Sequence, residues 1–288
     1  MPCEGAPLTL RVATYNVRAG IGPGPFPPAW WRHVSRERLM RIAEVIAALD
    51  ADVVALQEVA YLTVHGEPID VAAELGVATG MAWRYAAVGH FPIVEPESGA
   101  AAGAAMWGNA LLSRRPITGT RTLGLPRAAD EDLVEAADSG LRLAGVAYGD
   151  APPWAREPRC ALLARIDAGA GVDVSVASVH LTHVGAGQRA MQVAALLDVL
   201  EGEGPRVALA GDLNAPLESA ELEPLRHRYA DAFEAEGVPL GDERRISAGD
   251  GARIDHLLLR GLRPRDCRVV VEAGDASDHL PVVATLWA

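Results

Sequence analysis

Short apolar and β-branched runs recur along the whole chain and predict a protein rich in β-strands. The predicted strands are Leu8–Tyr15, Asp52–Leu56, Trp83–Val88, Asn109–Leu112, Arg159–Ile166, Val172–His180, Arg206–Ala210, Arg253–Leu259, Arg268–Val271 and Pro281–Trp287. Apolar residues at helical spacing predict two helices, one through Leu39–Leu49 after an N-cap at Ser35 and one through Met191–Leu197. Helices are therefore the minority and are expected to cover the sheets from outside.

The strands show two burial patterns. Val172–Val176 alternates apolar and polar residues, whereas Val53–Leu56 and Val207–Ala210 are continuous apolar runs that indicate burial on both faces. Two packed sheets flanked by helices satisfy both patterns. The Pro/Gly-rich stretches are predicted to be loops, and no shift in composition divides the chain, so we expect one domain over residues 1–288. These stretches are Gly20–Pro28, Glu95–Gly103 and Gly149–Pro158.

Polar side chains fall repeatedly at or near the ends of the predicted strands, with Asp255 inside one of them. They are Asn16, Glu58, His180, Asp212, Asn214, Asp255, Asp278 and His279. Each alone has a structural explanation, such as a left-handed turn at Asn16 or a solvated charge at Glu58. If the strands end at one rim, however, several carboxylates meet, and like charges ~4 Å apart repel by about 4 kcal/mol at an effective dielectric near 20. Such a cluster calls for a cation.

The donor types narrow the choice of cation. Oxygen ligands without thiolates favour Mg²⁺, Mn²⁺ or Ca²⁺ over zinc, and Mg²⁺ is typically shared between one or two carboxylates and phosphate oxygens of a substrate. The sequence thus predicts a phosphate-ester substrate.

Seven short motifs in order carry a family resemblance. They are Thr14-Tyr15-Asn16-Val17-Arg18, Leu56-Gln57-Glu58, Gly108-Asn109-Ala110-Leu111-Leu112-Ser113-Arg114, Ser178-Val179-His180-Leu181, Gly211-Asp212-Leu213-Asn214-Ala215, Arg253-Ile254-Asp255-His256 and Ser277-Asp278-His279-Leu280-Pro281. The series resembles the endonuclease/exonuclease/phosphatase superfamily. His180 is similar to a histidine of the deoxyribonuclease and sphingomyelinase branch. Abasic-site endonucleases of the superfamily instead carry a tyrosine near the phosphate in the middle of the chain. Tyr148 lies in a predicted insertion, so the resemblance disfavours an abasic-site endonuclease.

The resemblance implies a fold and a set of roles. The fold is an α/β four-layer sandwich, with two central, mostly antiparallel β-sheets flanked by helices. Asn16, Glu58 and Asp278 are implied as Mg²⁺ ligands, with Mn²⁺ as an alternative metal. The implied catalytic residues are Asp212 and Asn214 for the attacking water, His279 oriented by Asp255, and His180 at the phosphate or leaving group. Asn109, Arg156 and Arg159 are implied as substrate contacts.

Composition limits the partners and the compartment. The formal charge is −12 and all 26 basic residues are arginine, which argues against strong non-specific nucleic-acid binding. Three well-separated cysteines indicate neither a disulfide framework nor a thiolate zinc site, and no run approaches the ~20 apolar residues of a membrane span. Because Leu8–Tyr15 is already a predicted strand, we do not expect a signal peptide, and we expect a cytoplasmic protein.

The sequence therefore predicts a Mg²⁺-dependent phosphoester hydrolase, either a phosphodiesterase or a phosphatase. A metal-dependent nuclease acting on DNA or RNA is the first alternative, and a non-catalytic binding protein on the same fold is the second. Substrate, number of metals, oligomeric state and the role of segment 115–157 stay open. Arg189 and Gln192 share a helix face that either braces the His180 loop or is solvated, and Trp30 and Trp31 are either stacking residues or core.

Overall fold

The computed structural model describes residues 9–127, 158–183 and 185–287. The strands are β1 (Thr9–Asn16), β2 (Val53–Val64), β3 (Glu67–Asp70), β4 (Ala82–Val94), β5 (Ala101–Ser113), β6 (Ile117–Gly124), β7 (Cys160–Asp167), β8 (Asp173–His180), β9 (Val207–Asp212), β10 (Ala230–Asp231), β11 (Asp255–Arg260), β12 (Arg263–Val269) and β13 (Val282–Trp287). The α-helices are α1 (Arg36–Ala48), α2 (Val71–Thr79), α3 (Ala186–Glu201) and the single turns α4 (Glu223–Arg226) and α5 (Ala232–Ala235).

The strands form two sheets. The first has the order β12-β13-β1-β2-β5-β4, with β3 paired to β2, and the second has the order β10-β11-β9-β8-β7-β6. Among the described strands, β1 is parallel to β2 and β8 is parallel to β9, and the other named pairs are antiparallel. Each parallel pair ends at the same edge of its sheet, with Asn16 opposite Gln57 and His180 opposite Asp212.

Three apolar cores separate four layers. Leu111, Val176 and Val282 belong to the core between the two sheets. Ile46 of α1 lies in the core that covers the other face of the first sheet, and Leu196 of α3 lies in the core outside the second sheet. The predicted α/β sandwich, with helices outside two mostly antiparallel sheets, is confirmed.

The helix that sequence periodicity predicts most clearly begins where expected. Ser35 precedes α1, and its Oγ accepts a hydrogen bond of 3.3 Å from the backbone N–H of Arg38. Helix α2 is additional to the predicted helices. Its sequence is apolar on nearly every side, so no amphipathic period marks it, although Asp70 caps it by accepting from the N–H of Ala73 at 3.0 Å.

Several strands are longer or more numerous than predicted. β2 continues to Val64 and passes through Glu58, and β4 and β5 pair along almost their whole length as a long hairpin. β3 is an additional short strand. β6, which lies in the first part of the segment 115–157, is an edge strand, and the residues of β6 are mostly exposed. Neither strand therefore has a strong apolar signal in the sequence. Residues 128–157 lie outside the described residues.

Candidate active site

Asn16 joins carboxylates from the two sheets. It is the last residue of β1 and is completely buried. Its Nδ2 donates to Glu58 Oε1 at 3.0 Å and to Asp212 Oδ2 at 3.1 Å, while its Oδ1 accepts from the backbone N–H of Arg18 at 3.0 Å. The distant motifs around these residues therefore meet at one amide side chain.

Glu58 sits in a bulge of β2. The register between β2 and β5 shifts between Leu56 and Val59, and Glu58 has a φ of 53°, a left-handed conformation that costs a residue with a Cβ roughly 1–2 kcal/mol. A bulge re-aims a side chain without ending the strand. The sequence places Glu58 just after a strand; in the structure it lies within one, and the bulge turns it toward Asn16.

Asp212 lies at the centre of the site, at the end of β9. It is 2% exposed, and its Oδ1 accepts from the N–H of Asn214 at 2.9 Å. Its Oδ2 lies 3.5 Å from His180 Nε2 and 3.8 Å from His279 Nε2. Burial, followed by the nearby charge of Asp255, raises the pKa of Asp212 to about 6. This carboxylate can thus accept a proton near neutral pH.

Asn214 is held beside Asp212 by its own backbone and side chain. Its φ is 52°, and its Nδ2 donates to the carbonyl of Leu181 at 2.8 Å, directly after β8. The loop after β9 is thereby tied to the loop that follows His180.

His279 is oriented by a buried carboxylate. Its Nδ1 lies 2.8 Å from Asp255 Oδ2, which also accepts from Ser247 Oγ at 2.7 Å. Burial by itself would lower the pKa of His279, but the charge and hydrogen bond of Asp255, with further contributions from Asp212 and Asp278, raise it well above the ordinary value. The arrangement presents Nε2 of a protonated ring toward Asp212.

His180 has the opposite environment. Nη1 of Arg159 lies 2.8 Å from His180 Nδ1 and 2.9 Å from Nε2, and Nη2 of the same guanidinium lies 3.1 Å from His183 Nδ1. Burial and then Arg159 lower the pKa of His180 well below its ordinary value, so the ring is neutral at pH 7. The two site histidines therefore differ in charge.

Arg18 is a site residue outside the predicted set. Its side chain is nearly buried, and its Nε lies 3.2 Å from Asp278 Oδ2. Nη1 donates to the carbonyls of Gly22 and Gly24 at 2.8 and 2.7 Å. The sequence feature that could have identified Arg18 is its position two residues after Asn16, at the end of the motif Thr14–Arg18, in which this arginine has no predicted role.

The donor set suits a hard divalent cation. Asp212, Asp255 and His279 each offer one ligand atom, and these atoms lie within 4.8 Å of one another. Asp255 Oδ1 is a buried acceptor with no hydrogen-bond partner among the described residues, which is costly unless a cation or water fills the need. The predicted ligands Asn16 and Glu58 adjoin this trio through Asp212, and Asp278 precedes His279 in the chain.

A polar seam crosses the apolar core directly beneath the site. Gln57 accepts from Thr14 Oγ1 at 3.1 Å and donates through Nε2 to Ser178 Oγ at 3.1 Å, and Ser178 Oγ donates to the carbonyl of Leu56 at 2.9 Å. Asn109 Nδ2 donates to the carbonyls of Ser178 and Cys160 at 3.1 and 2.8 Å. These bonds join the first sheet to the second.

The predicted substrate contacts have different surroundings. Asn109 lies inside β5 rather than at the start of a strand, is 2% exposed and uses its amide nitrogen in the seam. Arg159 faces His180, whereas Arg156 lies outside the described residues. Substrate binding by these three residues stays a prediction.

Helix α3 braces the loop after His180. Gln192 Oε1 accepts from the N–H of Thr182 at 2.8 Å, and Arg189 pairs with Glu221 at 2.7 Å while its Nη1 donates to the Thr182 carbonyl at 3.4 Å. Both side chains are buried. The bracing interpretation of this helix face is confirmed and the solvated one is wrong. Trp31 is core, as expected for at least one of the tryptophan pair.

Comparison with known proteins identifies the family. The sequence model of the Endonuclease/Exonuclease/phosphatase family matches residues 13–279, which include every site residue described above. The chain belongs to this family. Members act as phosphoesterases, nucleases or phosphatases, and the family is generally dependent on divalent metals.

Curated relatives are similar over part of their length. Two UPF0294 proteins of Vibrio cholerae serotype O1 are each 31% identical over 139 residues, which is 48% of this chain and 48% of the relative. The match thus spans about half the length of the curated relatives.

Solved structures share the fold over nearly the whole chain. An endonuclease/exonuclease/phosphatase from Beutenbergia cavernae has a TM-score of 0.66 at 23% identity and covers 97% of this chain and 71% of its own. The human Nocturnin catalytic domain with bound sulfate has a TM-score of 0.63 at 17% identity, and the match covers 98% of this chain and 94% of that domain. A mannosyl-6-phosphatase of Bacteroides thetaiotaomicron has a TM-score of 0.58 at 16% identity, and the match covers 96% of this chain and 99% of the phosphatase. Within the described residues, no helix is both long and apolar enough to cross a membrane.

Proposed function

We propose that this chain is a Mg²⁺-dependent phosphoester hydrolase that directs a water in line at phosphorus. One observation carries the proposal: the Oδ2 atom of buried Asp212 lies 3.1 Å from Asn16 Nδ2, 3.5 Å from His180 and 3.8 Å from His279. Groups that handle a cation, a proton and a phosphoryl oxygen are thus within reach of one atom, as an in-line displacement requires.

Asn16, Glu58 and Asp278 would hold the metal, with Asp212 beside them. When bound, Mg²⁺ supplies an acidified water and neutralises charge on phosphoryl oxygens. Burial leaves Asp212 basic enough to accept the proton of the attacking water, and its hydrogen bond from the Asn214 N–H fixes the carboxylate plane for that task.

The two histidines would serve the phosphoryl group differently. Asp255 holds His279 with Nε2 facing the site, so a protonated His279 donates to a phosphoryl oxygen. His180 is neutral and hydrogen-bonds as a dipole, while the adjacent Arg159 guanidinium brings a permanent positive charge. This assignment favours His279 over His180 as the proton donor to the leaving group.

The substrate is proposed to be a compact phosphoester rather than long nucleic acid. A net charge of −12 opposes sequence-independent binding of a polyanion. Two relatives of the same fold fit this proposal: one is a mannosyl-6-phosphatase, and the other is the Nocturnin catalytic domain with a bound sulfate, an anion that is tetrahedral like phosphate.

A substrate panel tests the proposal. Hydrolysis of bis-aryl phosphodiesters, inositol phosphates, sphingomyelin, RNA and single-stranded and duplex DNA is measured with Mg²⁺ and with Mn²⁺. Asp212→Asn is expected to abolish turnover with the fold intact by circular dichroism, whereas Asp198→Asn, an exposed site on α3, is expected to change nothing. Unchanged turnover in chelator-treated, metal-free protein refutes the mechanism.

A further inference from the structure

The loop after β1 presents an exposed aromatic ring beside the site. Phe26 is 53% exposed, and it is the one aromatic among the large exposed apolar side chains of the described residues. Isolated apolar residues on a surface need no explanation. Phe26 differs because its ring is held in place by groups that lead to the catalytic centre.

Two contacts separate this ring from a predicted metal ligand. The Arg18 guanidinium carbon lies 5.6 Å from the centroid of Phe26, and Arg18 Nε lies 3.2 Å from Asp278. Arg18 also binds the carbonyls of Gly22 and Gly24, so the same side chain fixes the loop that carries the ring. Cation–π contact and hydrogen bonds together give Phe26 a defined position next to the site.

The loop is built at a conformational cost. Arg18 and Ala19 have φ of 45° and 50° without being glycine, and Gly22 and Gly24 follow with φ of 87° and 95°. Strain in residues that carry a Cβ concentrates where a function needs it. Here the strained turns fold the loop back over Arg18 and bring the ring to the edge of the site.

Other aromatic rings support Phe26 from behind. Its centroid lies 6.3 Å from that of Trp30, and Trp30 meets the mostly buried Trp107 edge-on at 5.2 Å. Arg18 and Trp30 thus occupy part of the Phe26 surface, and the remainder faces solvent. A flat, rigid and half-exposed ring is suited to stacking on another planar ring.

We infer that Phe26 determines specificity by stacking on a planar aromatic group joined to the substrate phosphate, either a nucleobase or an aryl ring. The inference rests on the proposed function for the position of the phosphate. It deepens that function by naming a substrate class, a phosphoester that carries an aromatic ring.

Binding to an inactive protein tests the inference apart from turnover. The parent is Asp212→Asn, and the second substitution is Phe26→Ala, Phe26→Trp or, as a control at another exposed apolar site, Val77→Ala. Calorimetry with Mg²⁺ measures Kd for thymidine 5′-monophosphate, phenyl phosphate and methyl phosphate. Loss of one aromatic–base stack is expected to weaken ring-bearing ligands about tenfold in Phe26→Ala, with less than twofold change for methyl phosphate.

The outcomes separate the explanations. Phe26→Trp and Val77→Ala are expected to bind as the parent does; loss with the nucleotide alone assigns the stack to a nucleobase, and loss with phenyl phosphate as well assigns it to any aryl ring. The inference is overturned if all three ligands are weakened equally, if none is weakened, or if the parent does not bind the ring-bearing ligands. Failure of the hydrolase proposal appears separately, as absent turnover in the substrate panel.

Discussion

The bulge at Glu58 allows the cost of building the site to be measured. Glycine is free of the left-handed penalty that Glu58 bears at φ 53°. In an ordinary strand, alanine is more stable than glycine by roughly 0.5–1 kcal/mol. Here the left-handed penalty of roughly 1–2 kcal/mol falls on alanine. We therefore expect Glu58→Gly to be more stable than Glu58→Ala by about 0.5–1 kcal/mol, a reversal of the usual order.

The comparison removes the carboxylate from both variants, so changes in charge cancel. Urea unfolding followed by tryptophan fluorescence gives the difference in free energy of unfolding, and equal m-values show that the unfolded states are comparable. Thermal unfolding is expected to show a Tm higher by about 2 °C for the glycine variant. Both variants are expected to lose hydrolysis. Greater stability of the alanine variant would refute the strain at this position.

Three further outcomes are expected. Saturating Mg²⁺ at about 100 times its Kd is expected to stabilise the wild-type protein by about 2.7 kcal/mol, and Glu58→Gln to shift this effect to higher Mg²⁺; equal titrations would remove Glu58 from the metal site. Burial, then Arg159 and Arg189, lowers the pKa of His183 to about 3, so below pH 6.5 the unfolded chain binds a proton that the folded chain does not. The free energy of unfolding therefore decreases as the pH is lowered. Between pH 7 and pH 5 the wild type is expected to lose about 2 kcal/mol more of it than His183→Gln does, as measured by urea unfolding. Parallel pH profiles of the two proteins would contradict this. Duplex DNA at physiological salt is expected to bind weakly in an anisotropy titration, and a submicromolar Kd would overturn the charge argument.

Local signals were sufficient for much of the site. Strand-end polar residues such as Asn16, His180 and Asp212 follow apolar runs that are recognisable in the sequence, and the parallel strand pairs seen in the structure bring their ends together. The part of the site geometry that depends on tertiary contacts could not be predicted from the sequence. The bulge at Glu58 and the ion pair between Arg18 and Asp278 arise from strand register and loop folding, which no local pattern encodes.

The secondary elements missing from the sequence prediction lack a contrast between faces. Helix α2 is apolar around most of its circumference, and β6 is an edge strand with few buried residues, so neither has a clear period. The ends of the β4–β5 hairpin contain proline and glycine, which normally indicate loops, yet their backbones pair. The amphipathic helix α1 was predictable because one of its faces packs on a core, and the central strands were predictable because both of their faces do, which produces continuous apolar runs.

The seam of Thr14, Gln57 and Ser178 has a mechanical consequence. Apolar side chains alone resist separation of two layers but provide little directional resistance to sliding, whereas hydrogen bonds tolerate only small lateral displacement. The groups that must cooperate are divided between the two halves of the sandwich. Hydrogen bonds one layer below them therefore tie those halves together and are expected to limit the sliding of one sheet past the other beneath the candidate active site.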